Sequence, residues 1–255
     1  MAGESAAAYK MFWSADGSEI ALGDNKGGFS IVSVASGSAR DVPGTRPSWY
    51  RVLDGWIDAT HILIEGVPEG GTSFVLAALD VGSGQLRQIA SLPISQNMEY
   101  FVTLAPDGRD ALFYSRPYRS YPFTPTADVI DTATGAVRAL PHISPLTAGM
   151  FYTFAWQPGS HTVAVTTNQV GAPTWLLNLD ADSATQVALK QSVGLVAGWS
   201  PDGTTLIFST GYQLGVGTGP FTISAVSLAS GATPRVTVLT HNAKSFPFVG
   251  FVRTA

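Results

Sequence analysis

Apolar and polar residues alternate along this chain in runs too short to make helices. The segments "TTLIFST" (204–210), "FTISAVSL" (221–228) and "TPRVTVL" (233–239) are typical. They are rich in Val, Ile, Thr and Phe, which fit a pleated, half-buried surface, and they are bounded by the Gly, Pro, Asp and Ser of turns. No stretch carries the 3.6-residue apolar rhythm of an amphipathic helix over a useful length. The pattern predicts an all-β protein.

The runs come in sets. "WSPDGTTLIFST" at Trp199 nearly repeats "WSADGSEIALGD" at Trp13. Between them lie "LAPDGRDALFYS" at Leu104, "WQPGSHTVAVTT" at Trp156 and a degenerate copy, "GWIDATHILIEG", at Gly55. The turn column Gly17, Ala59, Gly108, Ser160 and Gly203 is spaced by 42, 49, 52 and 43 residues. A second landmark reads "VASGSAR", "DVGSGQLR", "DTATGAVR", "DADSATQV" and "LASGATPR". Its small-residue column is Gly37, Gly84, Gly135, Ala184 and Gly231, spaced by 47, 51, 49 and 47. Four short strands per repeat of about 40–50 residues is the signature of a β-propeller blade. The repeat units run over 9–42, 51–91, 99–140, 151–189 and 194–240, in one propeller domain spanning 1–255.

The repeated line has a local physical basis. In "WSPDGT", Pro presets φ for the first corner of a turn, Asp hydrogen-bonds the backbone ahead of it, and Gly takes the left-handed conformation that closes a short hairpin loop. Asp16, Asp107 and Asp202 therefore read as turn residues rather than catalytic carboxylates. Trp13, Trp156 and Trp199 stand just before the turn and are suited to filling the space between neighbouring blades.

"WSPDG" followed by a strand resembles the repeat of TolB-like propellers, relatives of the WD-type propellers. The match covers Phe12 to Leu239, although unit two lacks the Pro-Asp-Gly turn and unit four has "QPGS" instead. The resemblance implies a propeller and is nearly silent on activity, since this family includes partner-binding proteins, sensors and the non-catalytic lids of peptidases. It favours an exported, periplasmic or cell-surface bacterial protein.

The end of the chain, "FPFVGFVRTA", aligns Gly250 with Gly198 and Phe251 with Trp199. An extra inner strand at 246–252 follows, giving six inner strands and five full sets of outer ones. Five to six blades are expected, because open sheet edges invite pairing. The last strand wedges into the seam of a five-bladed ring, a strand-complementing chain or further residues complete a sixth blade, or residues 1–8 add a strand to it.

Composition narrows the function classes. Charged residues make up 13% of the 255 residues, against roughly 25% in ordinary soluble domains. The net charge is -4 and there is no basic run, so a nucleic-acid partner is not expected. No apolar stretch approaches the ~18 residues of a membrane span. The absence of cysteine excludes a disulfide framework and any thiolate site. The opening "MAGESAAAYK" lacks the apolar core of a signal peptide.

Topology points to one side of the blades. The A–B and C–D turns of a four-stranded antiparallel blade share one end and are tight here. The B–C loops and the links between blades share the other end and hold the long segments, including "SRPYRSYPFTPT" from Ser115. Long loops on a rigid scaffold are where binding concentrates.

Two constellations fall there. Tyr9, Arg51, Tyr100, Tyr152, Leu195 and Pro247 precede the inner-strand Trp column by four residues, with Trp49, Tyr50, Glu99 and Phe151 beside them. They suit stacking on a ligand at the channel mouth, and equally suit plugging the channel. The second is "RPYRSYPF", with Arg116, Tyr118, Arg119, Tyr121 and Phe123. Arg and Tyr are enriched at interface hot spots, while the same residues also suit a long loop folded against its neighbour.

His61, His142, His161 and His241 are scattered over different units, so no metal site is expected. His61 and His161 fall near the tight turns, and His142 and His241 are expected toward the opposite side. "GVGTGP" at Gly215 opens no helix and is not a phosphate cradle. No cofactor is expected. The leading expectation is a non-enzymatic module that binds a protein, a peptide or a small ligand at the channel mouth. An enzyme of the lyase or hydrolase type, using Glu99, Arg51, Tyr100 or His142, is the alternative. A sensor or surface segment of a larger protein is a third reading.

Overall fold

The structure is a computed structural model. It describes residues 10–23, 28–44, 50–68, 70–95, 98–117, 126–143, 152–167, 173–187, 189, 195–210, 221–228 and 234–243. The described residues form twenty strands in five four-stranded antiparallel sheets. Blade 1 holds β1 (Lys10–Trp13), β2 (Glu19–Gly23), β3 (Phe29–Ser33) and β4 (Ala39–Asp41). Blade 2 holds β5 (Tyr50–Trp56), β6 (His61–Gly66), β7 (Ser73–Asp80) and β8 (Leu86–Pro93). Blade 3 holds β9 (Met98–Leu104), β10 (Asp110–Pro117), β11 (Thr126–Asp131) and β12 (Val137–Ala139). Blade 4 holds β13 (Tyr152–Trp156), β14 (Thr162–Thr167), β15 (Thr174–Asn178) and β16 (Ser183–Val187). Blade 5 holds β17 (Leu195–Trp199), β18 (Thr205–Thr210), β19 (Phe221–Ser227) and β20 (Arg235–Ala243). A short 3-10 turn, Pro141–Ile143, lies between blades 3 and 4 in sequence.

Every sheet keeps its four strands in chain order, as a propeller blade requires. The five expected sets are present, while the extra strand at 246–252 and residues 1–8 lie outside the described residues. Contacts divide the chain into two compact units, 1–121 with 126–139, and 122–125 with 140–255. The first holds blades 1 to 3 and the second blades 4 and 5.

In the first unit, blade 2 is apolar on both faces because it has a neighbour on each side. Successive strand residues point to opposite faces. Ile62 and Ile64 accordingly pack with Ala21, Phe29 and Ile31 of blade 1, while Leu63 packs with Leu104, Ala111, Phe113 and Ile130 of blade 3. Full burial of such a side chain contributes about 1.5–3 kcal/mol. In the second unit, Ala164 of blade 4 meets Val196, Trp199, Leu206, Phe208 and Val226 of blade 5. The outermost strands β4 and β12 are three residues long and exposed. Their shortness and their Arg40, Asp41 and Arg138 keep these edges from pairing with other chains.

Polar latches join blades within each unit. The Trp56 indole N–H donates to Phe12 O (3.1 Å), and the Trp199 indole N–H donates to Ala155 O (2.9 Å). In both, the tryptophan that ends its blade's first strand reaches the residue just before the last one of the preceding blade's first strand. Arg40 donates to Val81 O (2.6 Å) and Arg87 to Thr132 O (3.3 Å), so an outer-strand guanidinium holds the next blade's C–D turn. Gln157 donates to Gly203 O (2.7 Å), and Val196 N–H to the buried Thr166 hydroxyl (2.7 Å).

Several expectations need correction. Trp13 is 48% exposed and does not share the burial of Trp56, Trp156 and Trp199. In blade 4 the small-residue column falls on Asp182, not Ala184. Asp182 follows β15 four residues after Asn178, as Gly37 follows Ser33, and it takes the same left-handed conformation (φ 45°). With no glycine in "DADSATQV", alignment on small residues slipped by two. "QPGS" replaces one turn by another: Gly159 has φ 68° and Ser160 N–H bonds back to Gln157 O, a type II turn with Pro158 at its first corner.

Candidate functional site

The register fixes which candidates share an end of their sheets. In blade 3, Leu104 pairs with Ala111 beside the tight turn, and Tyr100 pairs with Ser115 four ladder steps away. One step further, Glu99 lies directly opposite Arg116. In blade 4, Trp156 pairs with Val163 and Tyr152 with Thr167, again four steps from the turn. Blade 2 has two irregularities in its inner pair, between Tyr50 and Val52 and between Leu53 and Gly55. They absorb two residues, so Tyr50, opposite Gly66, stands at the level of Tyr100 and Tyr152. The expectation of Arg51 in this column is corrected: Arg51 falls at the bulge. Leu195 begins β17 opposite Ser209.

Tyr50, Glu99, Tyr100, Arg116 and Tyr152 thus each stand at the end of their sheet that carries the B–C loops and interblade links. Trp49, Tyr118, Arg119 and Tyr121 lie outside the described residues, as do Tyr9, Phe123, Phe151 and Pro247.

Tyr100 is also a packing residue. Its ring lies 5.5 Å from Phe74 and 5.6 Å from Phe113, an aromatic cluster between blades 2 and 3. Its hydroxyl accepts from Ser95 N–H (2.7 Å) and approaches Ser95 O (3.3 Å). This fixes the link that enters blade 3 and holds the Tyr100 ring in place.

The opposite end is turn chemistry. A cavity of about 330 Å³ opens where the A–B turns of blades 1 to 3 converge, lined by Ser14, Asp16, Glu19, Trp56, Asp58 and Asp107 among others. Each carboxylate has work within the turns. Hydrogen bonds from the Ser14 hydroxyl, then from Ser18, hold Asp16 down to a pKa of about 2. Partial burial pushes Asp58 up, but donors on Thr60 and His61 more than offset it and leave it lowered. Glu19 meets Arg40 at 3.5 Å, and Asp107 meets Arg109 at 3.9 Å. Asp80 and Asp131 cap their C–D turns and are lowered first by the backbone N–H groups of Ser83 and Thr134.

Three of the described histidines, His61, His142 and His161, belong to this end as well. His61 Nδ1 lies 3.0 Å from Asp58, and His161 Nδ1 lies 2.9 Å from Asp180. His142, expected toward the long loops, instead meets Asp182 of a C–D turn through its ring (2.6 Å) and its backbone N–H (3.2 Å). The outer strand before it is only three residues long, so the chain has travelled little from the turn end when Leu140 and Ile143 bury and anchor it. His241 falls within β20. Among the described residues, no three or more His, Asp or Glu side chains are arranged to hold a metal ion. No described helix is long and apolar enough to cross a membrane.

Inspection of the sequence missed the arginine latches. Their signal was visible: Arg40 and Arg87 each stand three residues after the glycine of the second landmark.

No family model and no curated protein matches the sequence. Solved structures do resemble the fold. A putative TolB from Agrobacterium tumefaciens aligns over 91% of this chain and 79% of its own, at 18% identity and a TM-score of 0.60. An oligogalacturonate lyase in complex with manganese aligns over 91% of this chain and 65% of its own, at 15% identity and a TM-score of 0.64. TolB from Acinetobacter baumannii aligns over 91% of this chain and 52% of its own, at 15% identity and a TM-score of 0.54. The chain therefore spans less than two thirds of the length of the last two. These likenesses show the fold: the chain has a β-propeller fold similar to that of TolB.

Proposed function

We propose that this protein is a non-enzymatic binding module that presents the long-connection end of its blades to a protein or peptide partner. One observation carries the reading: Tyr50, Tyr100 and Tyr152 share one ladder level in their sheets, and in blade 3 Glu99 and Arg116 stand opposite each other one step beyond. That is the end from which the "RPYRSYPF" connection departs. Tyr and Arg on a rigid scaffold bring large contact area and multiple donors at low ordering entropy. A small ligand at the channel mouth is the other occupant of the same end, and an exported or cell-surface location goes with the reading.

The test starts from peptides selected by display panning on the protein. Their affinity is measured by calorimetry for the native protein, for the R116A/Y118A/R119A/Y121A variant and for R109A at the turn end. Loss of a hot-spot cluster worth about 2 kcal/mol or more weakens binding about 30-fold. The reading expects that loss in the loop variant and native affinity in R109A. Unchanged affinity in the loop variant overturns it.

A second reading, an enzyme of the lyase or hydrolase type with a polar site drawn from Arg51, Glu99, Tyr100 or His142, is supported by the fold likeness to an oligogalacturonate lyase. Incubation with oligogalacturonides, with and without manganese, separates the two. Unsaturated product that disappears in E99Q favours the enzyme, and its absence in the native protein favours the binding module. A native mass well above 26.7 kDa supports the third reading, a segment of a larger sensor or surface protein.

A further inference from the structure

We draw no further inference here: the strongest candidate, the cavity ringed by Asp16, Glu19, Asp58 and Asp107 where the first turns of blades 1 to 3 converge, is a cluster of carboxylates already engaged by turn hydrogen bonds and neighbouring cations, and no second observation among the described residues points to a ligand for it.

Discussion

Alanine at Gly108, compared with alanine at Gly17, measures how tightly neighbouring blades press together. The two glycines occupy the same place in the same turn, with φ of 74° and 72°. Each turn is closed by the equivalent backbone bond, Gly108 N–H to Ala105 O and Gly17 N–H to Ser14 O. Their surroundings differ. A Cβ on Gly17 meets nothing within 4 Å, whereas one on Gly108 falls 1.8 Å from the Ile57 carbonyl oxygen in the first turn of blade 2. Left-handed backbone disfavours an L side chain by about 1–2 kcal/mol, which G17A suffers alone. G108A suffers the same strain and must also displace backbone, which adds about 1–3 kcal/mol on the scale of overpacked cores. Urea unfolding midpoints, with the slope checked for constancy, report both values. The expected result is a loss of about 1–2 kcal/mol for G17A and about 2–5 kcal/mol for G108A. Equal losses would refute the packing of turn on turn and leave only the shared backbone strain.

Three further outcomes follow from other contacts. W199F removes the indole N–H that reaches the half-buried Ala155 O; it is expected to lower unfolding stability by about 0.5–1.5 kcal/mol, while W13F at the exposed column position changes it by less than about 0.5 kcal/mol. Burial raises the pKa of Asp128, so the native state holds its proton more strongly than the unfolded chain and stability falls as pH rises through that window. D128N is expected to melt higher than the native protein at pH 7 and to converge with it below the ordinary carboxylate pKa of about 3.9; a lower melting temperature at pH 7 contradicts the assignment. The R116A/Y118A/R119A/Y121A variant is expected to weaken binding of selected peptides about 30-fold with its melting temperature unchanged.

The blade pattern was legible in the sequence because its information is local. Asp16 and Gly17, Asp107 and Gly108, and Asp202 and Gly203 encode a turn within a few residues, and the strands around them alternate on a period of two. Gly203 and Gly108 duly take left-handed backbone, and the runs at 204–210 and 221–228 became β18 and β19. What stayed hidden depends on geometry across blades or on departures from the repeat. The bulges in β5 move Tyr50 into a column where residue counting places Arg51. Asp182 does a glycine's work because Asp tolerates left-handed backbone and gains His142 as a partner. Trp13 matches Trp199 in sequence, yet its burial depends on a neighbouring face that its own residues do not specify.

The candidate site was legible only as an end of the fold. The alternation of tight and long connections follows from strand order, so placing Tyr100 and Arg116 together needed no motif. Tyr100's second role did need the structure, since Phe74 and Phe113 come from different blades and meet its ring only after packing.

Hydrogen exchange of the protein with a display-selected peptide bound tests the central functional claim most directly. The account predicts slowed exchange at Met98–Tyr100 and at Ser115–Arg116 in blade 3, and at the start of β5 and β13, with the turns at 14–19 and 105–110 exchanging as in the free protein. Protection confined to those turns would place recognition at the opposite end and contradict it.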